Sequence, residues 1–203
     1  MKKWIALVIA WHVSIVSGLC VEQEHMDIAR DILLICRSPE DPLPNDDLSA
    51  YAKGHGLSDA DVSEILIELA KDGLCENADA LQSQLTGAAL WALPSFGGER
   101  ESEFVRKIMM TTNDNGLRRE TVLVWMRIVP EKWEDMVREV AADSRFDSLT
   151  RYVTYQEAYR IGQNRNEPTR KRVEQVLMEL SAREESPGNR RDMQKWVDEL
   201  KER

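Results

Sequence analysis

The side chains able to do chemistry are few and scattered along this chain of 203 residues. Of the three histidines, His25 lies among Glu22, Glu24 and Asp27, a set whose ligand types could hold a metal ion. A position so near the start of the folded part predicts a solvated, fraying segment instead. His55, between Gly54 and Gly56, is expected in a loop. The pairs Asp46/Asp47 and Asp59/Asp61 offer hard oxygen ligands for Ca²⁺, but neither has the spacing of a calcium loop. Asp59 and Asp61 are better explained as first-turn acids facing the positive end of a helix dipole. Asn113 to Gly116 has the composition of a calcium loop, yet Val122 stands where its bidentate acid belongs. Glu101/Glu103 and Glu184/Glu185 are paired carboxylates of the kind used in acid–base catalysis, and here they read as exposed helix charge. The chain has no Gly-rich phosphate loop, no Gly-x-Ser-x-Gly elbow, no His-Glu-x-x-His and no Cys-x-x-Cys. No catalytic, cofactor-binding or metal-ligating residue is therefore assigned, and no cofactor is expected.

Residues suited to touching a partner stand out more clearly. Tyr152, Tyr155 and Tyr159 recur at spacings that lay them on one helix face. Arg160, Arg165, Arg170, Lys171 and Arg172 follow closely. Aromatic residues and Arg dominate binding hot spots, so Tyr152, Tyr155, Arg160, Arg165 and Arg170 are the candidate partner contacts. Against this stand the tendency of a recurring Tyr to be core and the balance of the basic run by Glu167 and Glu174.

Charge narrows the class of partner. The formal net charge is −9, and removal of a leader carrying Lys2 and Lys3 makes it more negative. Phosphate contacts need clustered cations, so nucleic acid and anionic membrane are excluded as expected partners, leaving another protein. Residues 1–20 read as a secretory signal: Lys2 and Lys3, the apolar run Trp4 to Val16, then Ser17 and Gly18 as a cleavage site. The run is shorter than the roughly 20 residues that span a bilayer. Val16 to Cys20 resembles a bacterial lipoprotein box, in which Cys20 would be lipidated, although Leu19 departs from the small residue expected there. A periplasmic or secreted protein is expected, with lipid anchoring in the cell envelope as the alternative. Cys36 and Cys75 are then left as a pair in an oxidising compartment, either a disulfide or two buried thiols.

The elements that must position these residues are helices. With 31% charged residues, 10 Gly and 7 Pro, the composition is that of a helical globular chain, and no run alternates with a period of two. Apolar stripes predict helices separated by the Ser38 to Asn45 proline segment, by Gly54 and Gly56, and by a left-handed stop at Gly73. Asn77 is expected to cap the next helix, which breaks at Gly87. Further ends fall at Pro94, at an Asn113 to Gly116 turn with positive φ and at Gly162. Pro130, Pro168 and Pro187 open new helices. Trp91, Trp125 and Tyr159 recur 34 residues apart, preceded by Leu90, Val124 and Ala158. Val105/Ile108/Met109, Val137/Val140/Ala141 and Val173/Val176/Leu177 recur at a looser spacing, as stacked helix pairs with variable connections require.

Asp114 to Val122 is similar to the second helix of HEAT-type repeats, in which an Asp precedes an apolar–Arg pair. Thr86 to Leu93 and Thr169 to Leu180 look like further partial copies. The resemblance implies that Asp114 and Arg118 tie adjacent repeats together. The fold class expected is all-α: one repeat domain over 21–203, with antiparallel helix pairs stacked as a short right-handed α-solenoid. An irregular helical bundle is the alternative. The function expected is a non-catalytic protein–protein interaction scaffold of the bacterial cell envelope. An enzyme, a hydrolase or lyase using undisclosed Asp or Glu groups on a helical scaffold, is the rival.

Overall fold

The structure is a computed structural model that describes residues 24–33, 45–74 and 80–203. The signal at 1–20 with Cys20, the Cys36 and Cys75 pair, the proline segment before Asn45 and the Asn77 cap lie outside the described residues. Among the described residues every regular element is helical. Residues 24–33 form α1, followed by α2 (Asn45–His55), α3 (Asp59–Asp72), α4 (Ala80–Ala92), α5 (Glu99–Thr111) and α6 (Asn115–Ile128). Then come α7 (Trp133–Ala142), α8 (Ser148–Asn164), α9 (Glu167–Ser181) and α10 (Pro187–Lys201). Single 3₁₀ turns at Leu93–Ser95 and Pro130–Lys132 follow α4 and precede α7.

Local chemistry explains most helix starts. Ser58 Oγ accepts from Asp61 N at 3.2 Å while Asp61 Oδ2 accepts from Ser58 N at 2.8 Å, a reciprocal capping box on α3. Asp114, Asp147, Asn166 and Ser186 cap α6, α8, α9 and α10 with side-chain oxygens. Each such cap contributes about 1 kcal/mol. Pro168 and Pro187 sit in first turns, where a missing N–H costs nothing.

Several expected boundaries move. Helix α4 runs unbroken through Gly87, and α8 passes Gly162 and ends at Asn164. No residue of the Asn113 to Gly116 turn adopts positive φ, because Asp114 caps α6 and Gly116 is already helical. Pro130 opens a 3₁₀ turn, with α7 starting three residues on. His55 is the last residue of α2, and Gly56 at φ 69° supplies the left-handed ending, with Leu57 N donating to Ala52 O at 2.9 Å. Gly73 has right-handed φ −84°. Its missing side chain serves packing instead: a Cβ there would lie 1.9 Å from Thr86 Oγ1 and 2.2 Å from Gln82 O.

The backbone divides into two compact units, one ending at Phe96 and one running from Gly97 to Arg203. The boundary falls inside the stretch that the 34-residue spacing treats as continuous. In the first unit α3 packs on α2 and on α4, burying Leu66, Leu69 and Ala70 against a core that includes Leu85, Ala89 and Leu90. Thr86 Oγ1 donates to Ala70 O at 3.2 Å across this contact.

In the second unit, sequence neighbours pack: α5 with α6, α7 with α8, α8 with α9, and α9 with α10. Helices two apart also touch, α6 with α8, α8 with α10 and α7 with α9. Val105, Ile108 and Met109 on α5, Val137 and Val140 on α7, and Val173, Val176 and Leu177 on α9 are all buried. Each such side chain contributes about 2 kcal/mol of apolar transfer. Leu90, Val124 and Ala158 are each 0% exposed. The rings that follow them are used differently. Trp125 is buried and donates from Nε1 to Ser102 Oγ at 3.0 Å, on the preceding helix. Tyr159 is half-buried and stacks on Trp196 of α10 at 5.4 Å between centroids, and Trp91 is half-buried in the first unit.

Candidate functional site

The most concentrated polar chemistry lies where α8 meets the connection between α9 and α10. Glu184 sits in that connection, 5% exposed. Its Oε2 accepts from Arg151 Nε at 3.0 Å and from Tyr155 Oη at 2.8 Å; its Oε1 accepts from Arg151 Nη2 at 3.2 Å and Ser186 N at 2.9 Å. Burial alone would raise its pKa, but the Arg151 fork, the Ser186 amide and the Tyr155 hydroxyl outweigh it and hold the carboxyl below its usual range. Tyr155, 1% exposed, is pushed far above the ordinary phenol value by burial and by donating to Glu184. With four donors on its two oxygens, Glu184 has no lone pair left to take a proton from a substrate. The cluster is a clamp. It borders a cavity of about 460 Å³ whose rim carries Arg138, Asp143, Ser144, Arg183 and Glu185.

A second buried carboxylate, Glu157 on α8, is 5% exposed and lies between Arg160 at 2.6 Å and Arg127 of α6 at 3.3 Å. Burial pushes its pKa up, and the two guanidinium groups bring it below the usual value. Glu157 lines a smaller cavity of about 240 Å³ together with Ile161, Asn164 and Arg165. The outer helices are linked by more exposed pairs. Arg106 of α5 meets Glu139 of α7 at 2.5 Å, Arg138 of α7 meets Glu179 of α9 at 2.7 Å, and Arg172 of α9 meets Glu134 of α7 at 2.6 Å.

The candidate contact residues divide. Tyr152, Tyr155 and Tyr159 do share a face of α8, but it is turned inward. Tyr155 is buried, and Tyr152 and Tyr159 pack on Trp196, so Tyr155 is corrected from partner contact to core clamp. The physical reason is that α10 and its approach loop cover the face. Arg160 and Arg165 are exposed and share the smaller cavity; Arg170 is half-buried on α9. Lys171 pairs with Glu167 at 2.6 Å.

Asp114 is spent on its own helix, accepting from Gly116 N at 2.6 Å and Leu117 N at 3.2 Å. Arg118 reaches further. It donates to Met109 O at 3.3 Å and to Thr112 O, both at the end of α5, and to Arg145 O at 3.3 Å in the connection before α8. Arg151 does the same one step on, donating to Phe146 O at 2.7 Å and reaching Glu184 in the next connection. Sequence reasoning missed Arg151, Glu157 and Glu184. For Arg151 a signal existed, because Asp147 and Arg151 repeat the offset of Asp114 and Arg118. Glu184, expected as exposed helix charge, is neither helical nor exposed. Glu101 is also buried, accepting from Gly98 N at 2.7 Å to cap α5.

The structure also joins two histidines that the sequence separates, His25 of α1 and His55 of α2, whose rings lie 6.2 Å apart. Among the described residues no three His, Cys, Asp or Glu side chains are gathered to hold a metal ion, and no helix is long and apolar enough to cross a membrane. Comparison of the chain with family models, curated proteins and solved structures finds no match in any of the three.

Proposed function

We propose that the chain is an exported, non-catalytic helical-repeat protein acting as a protein-binding scaffold of the bacterial cell envelope. The observation that carries this reading is the packing of helices two apart, α6 on α8, α8 on α10 and α7 on α9, alongside the contacts between neighbours. Such packing supports a short HEAT-like α-solenoid, an architecture in which helix pairs shelter one another and whose edges and faces serve recognition. The recurrent arginine, Arg118 and then Arg151, supports the same stacking. Export rests on the Lys2 to Gly18 signal, with Cys20 as the alternative lipid anchor.

Two features support binding over catalysis. Glu184 and Glu157 are held ionised by arginines, so neither serves as a poised acid or base. Arg160 and Arg165 sit exposed beside Ile161 around a shallow cavity, a mixture of cation and apolar surface that suits an acidic protein segment. The test is capture of partners from envelope extract by a photo-crosslinker placed next to Arg165, at physiological salt. One partner captured by the parent and lost in Arg165→Glu is expected. A helical monomer that captures nothing specific overturns the reading. Palmitate labelling of the parent against Cys20→Ala separates the anchored from the released form.

A further inference from the structure

We propose that His25 and His55, oriented by Tyr51, form a two-histidine site for a divalent late first-row transition-metal ion of the Zn²⁺ or Cu²⁺ class. The ion would clip α1 to α2. His25 and His55 are the two histidines of the described residues, and they come from different helices. Their rings stand edge to face, with centroids 6.2 Å apart and an interplanar angle of 80°.

Tyr51 addresses both rings at the nitrogen that a metal would not use. His55 Nδ1 lies 3.0 Å from the Tyr51 carbonyl oxygen. A carbonyl can only accept, so Nδ1 carries the proton and Nε2 is left with its lone pair. His25 Nδ1 shares a hydrogen bond of 2.7 Å with the Tyr51 hydroxyl, which fixes that ring and leaves its Nε2 outside the bond. Metal-binding imidazoles are held in this way, with the second nitrogen engaged by a carbonyl or other oxygen that sets tautomer and aim. The Tyr51 ring also backs His55, at 4.2 Å between centroids, so one residue positions both ligands.

The reach is sufficient. An imidazole nitrogen binds Zn²⁺ at about 2.0–2.1 Å, which puts each ring centroid about 3.2 Å from the ion and lets two rings up to about 6.4 Å apart share it. Closing to a tetrahedral angle with both Nε2 atoms facing the ion takes a movement of about 1 Å and a turn of one ring, available to His55 on the exposed end of α2. The surroundings are acidic: Glu24 lies near enough to raise the Tyr51 pKa, after burial, and Asp61 feels the charge of His25 after its hydrogen bonds to Ser58. Among the described residues no third protein ligand is gathered, so water would complete the shell.

The experiment titrates the full chain, with thiols alkylated, with ZnCl₂ and separately CuSO₄, following calorimetric heat and the histidine ring resonances. One equivalent of metal bound at micromolar concentration, with both His25 and His55 resonances moving together, is expected. His25→Gln and His55→Gln should each weaken binding at least about tenfold, and Tyr51→Phe, which removes the hydroxyl and keeps the carbonyl, about tenfold. Binding that survives His55→Gln, movement of one histidine alone, or no binding below about 100 μM would each overturn the site. The resonances of the parent protein decide the matter even if a variant fails to fold.

Discussion

Two sets of Arg–Glu pairs hold the second unit together, and they differ in nearly everything except composition. Arg151 and Glu184 meet in the interior, with side chains 16% and 1% exposed, and share their bonds with Tyr155 and the Ser186 amide. Arg106 and Glu139 meet on the outside, at 50% and 29% exposure, across α5 and α7. Both are short, and distance alone would rank the outer pair first. The medium decides otherwise. Outside, water screens the attraction and holding two long side chains costs entropy, so such pairs are worth about 0–1 kcal/mol. Inside, Glu184 has lost its water and Arg151 most of its own, so removing one partner costs the other more than it does outside. The lesson is that the inner cluster fixes one arrangement of α8 against the α9–α10 connection, while the outer pairs keep the surface soluble and matched in charge.

The comparison breaks most readily at Glu184. Glu184→Ala should cost about 3 kcal/mol in urea unfolding, because the half-buried Arg151 loses its carboxylate and the buried Tyr155 hydroxyl its acceptor. A cost under about 1 kcal/mol would show the inner pair to be no different from the outer. The double change Arg151→Met with Glu184→Leu should be milder than Glu184→Ala alone, since no charge is stranded. An additive loss would mean that the bond from Arg151 to Phe146 O matters more than the ion pair.

Acid offers a graded version of the same test. Glu184 and Glu157 both have folded-state pKa values below the usual range, so their contribution is present above the unfolded value near about 4.3 and is lost as pH falls through the lower folded values. Urea midpoints at descending pH should drop below about 4.3 in the parent, and less steeply in Glu184→Gln. Tyr155→Phe removes one of four donors and should cost about 1–2 kcal/mol, with helix content unchanged by circular dichroism. Arg106→Ala should cost about 0.5 kcal/mol or less, and that loss should vanish in high salt.

The helices were readable in the residues, because an apolar stripe is a local signal, whereas several of their ends moved. Ser58 and Asp61 close a reciprocal box within a single turn, with no help from any other element. Gly73 shows where local reading ends. A Gly after a helix is ordinarily a left-handed stop, but here it lets the α3 end approach α4, and that approach is a property of two elements at once. Gly162 is similar: a Cβ on it would press to 3.1 Å from Val173 and 3.3 Å from Leu200. The clamp was hidden for the same reason, since Arg151 and Glu184 belong to different elements and Glu184 beside Glu185 looks like surface charge. The tyrosines had the right spacing and the wrong destination, because spacing gives a face and not what covers it.

The bonds between helices described above join residues at most 41 positions apart, as between Arg138 and Glu179. Pairing partners so close along the chain keeps the entropy of loop closure small, and folding rates rise as that separation falls. The second unit should therefore acquire its shape quickly, growing from any packed pair of neighbouring helices.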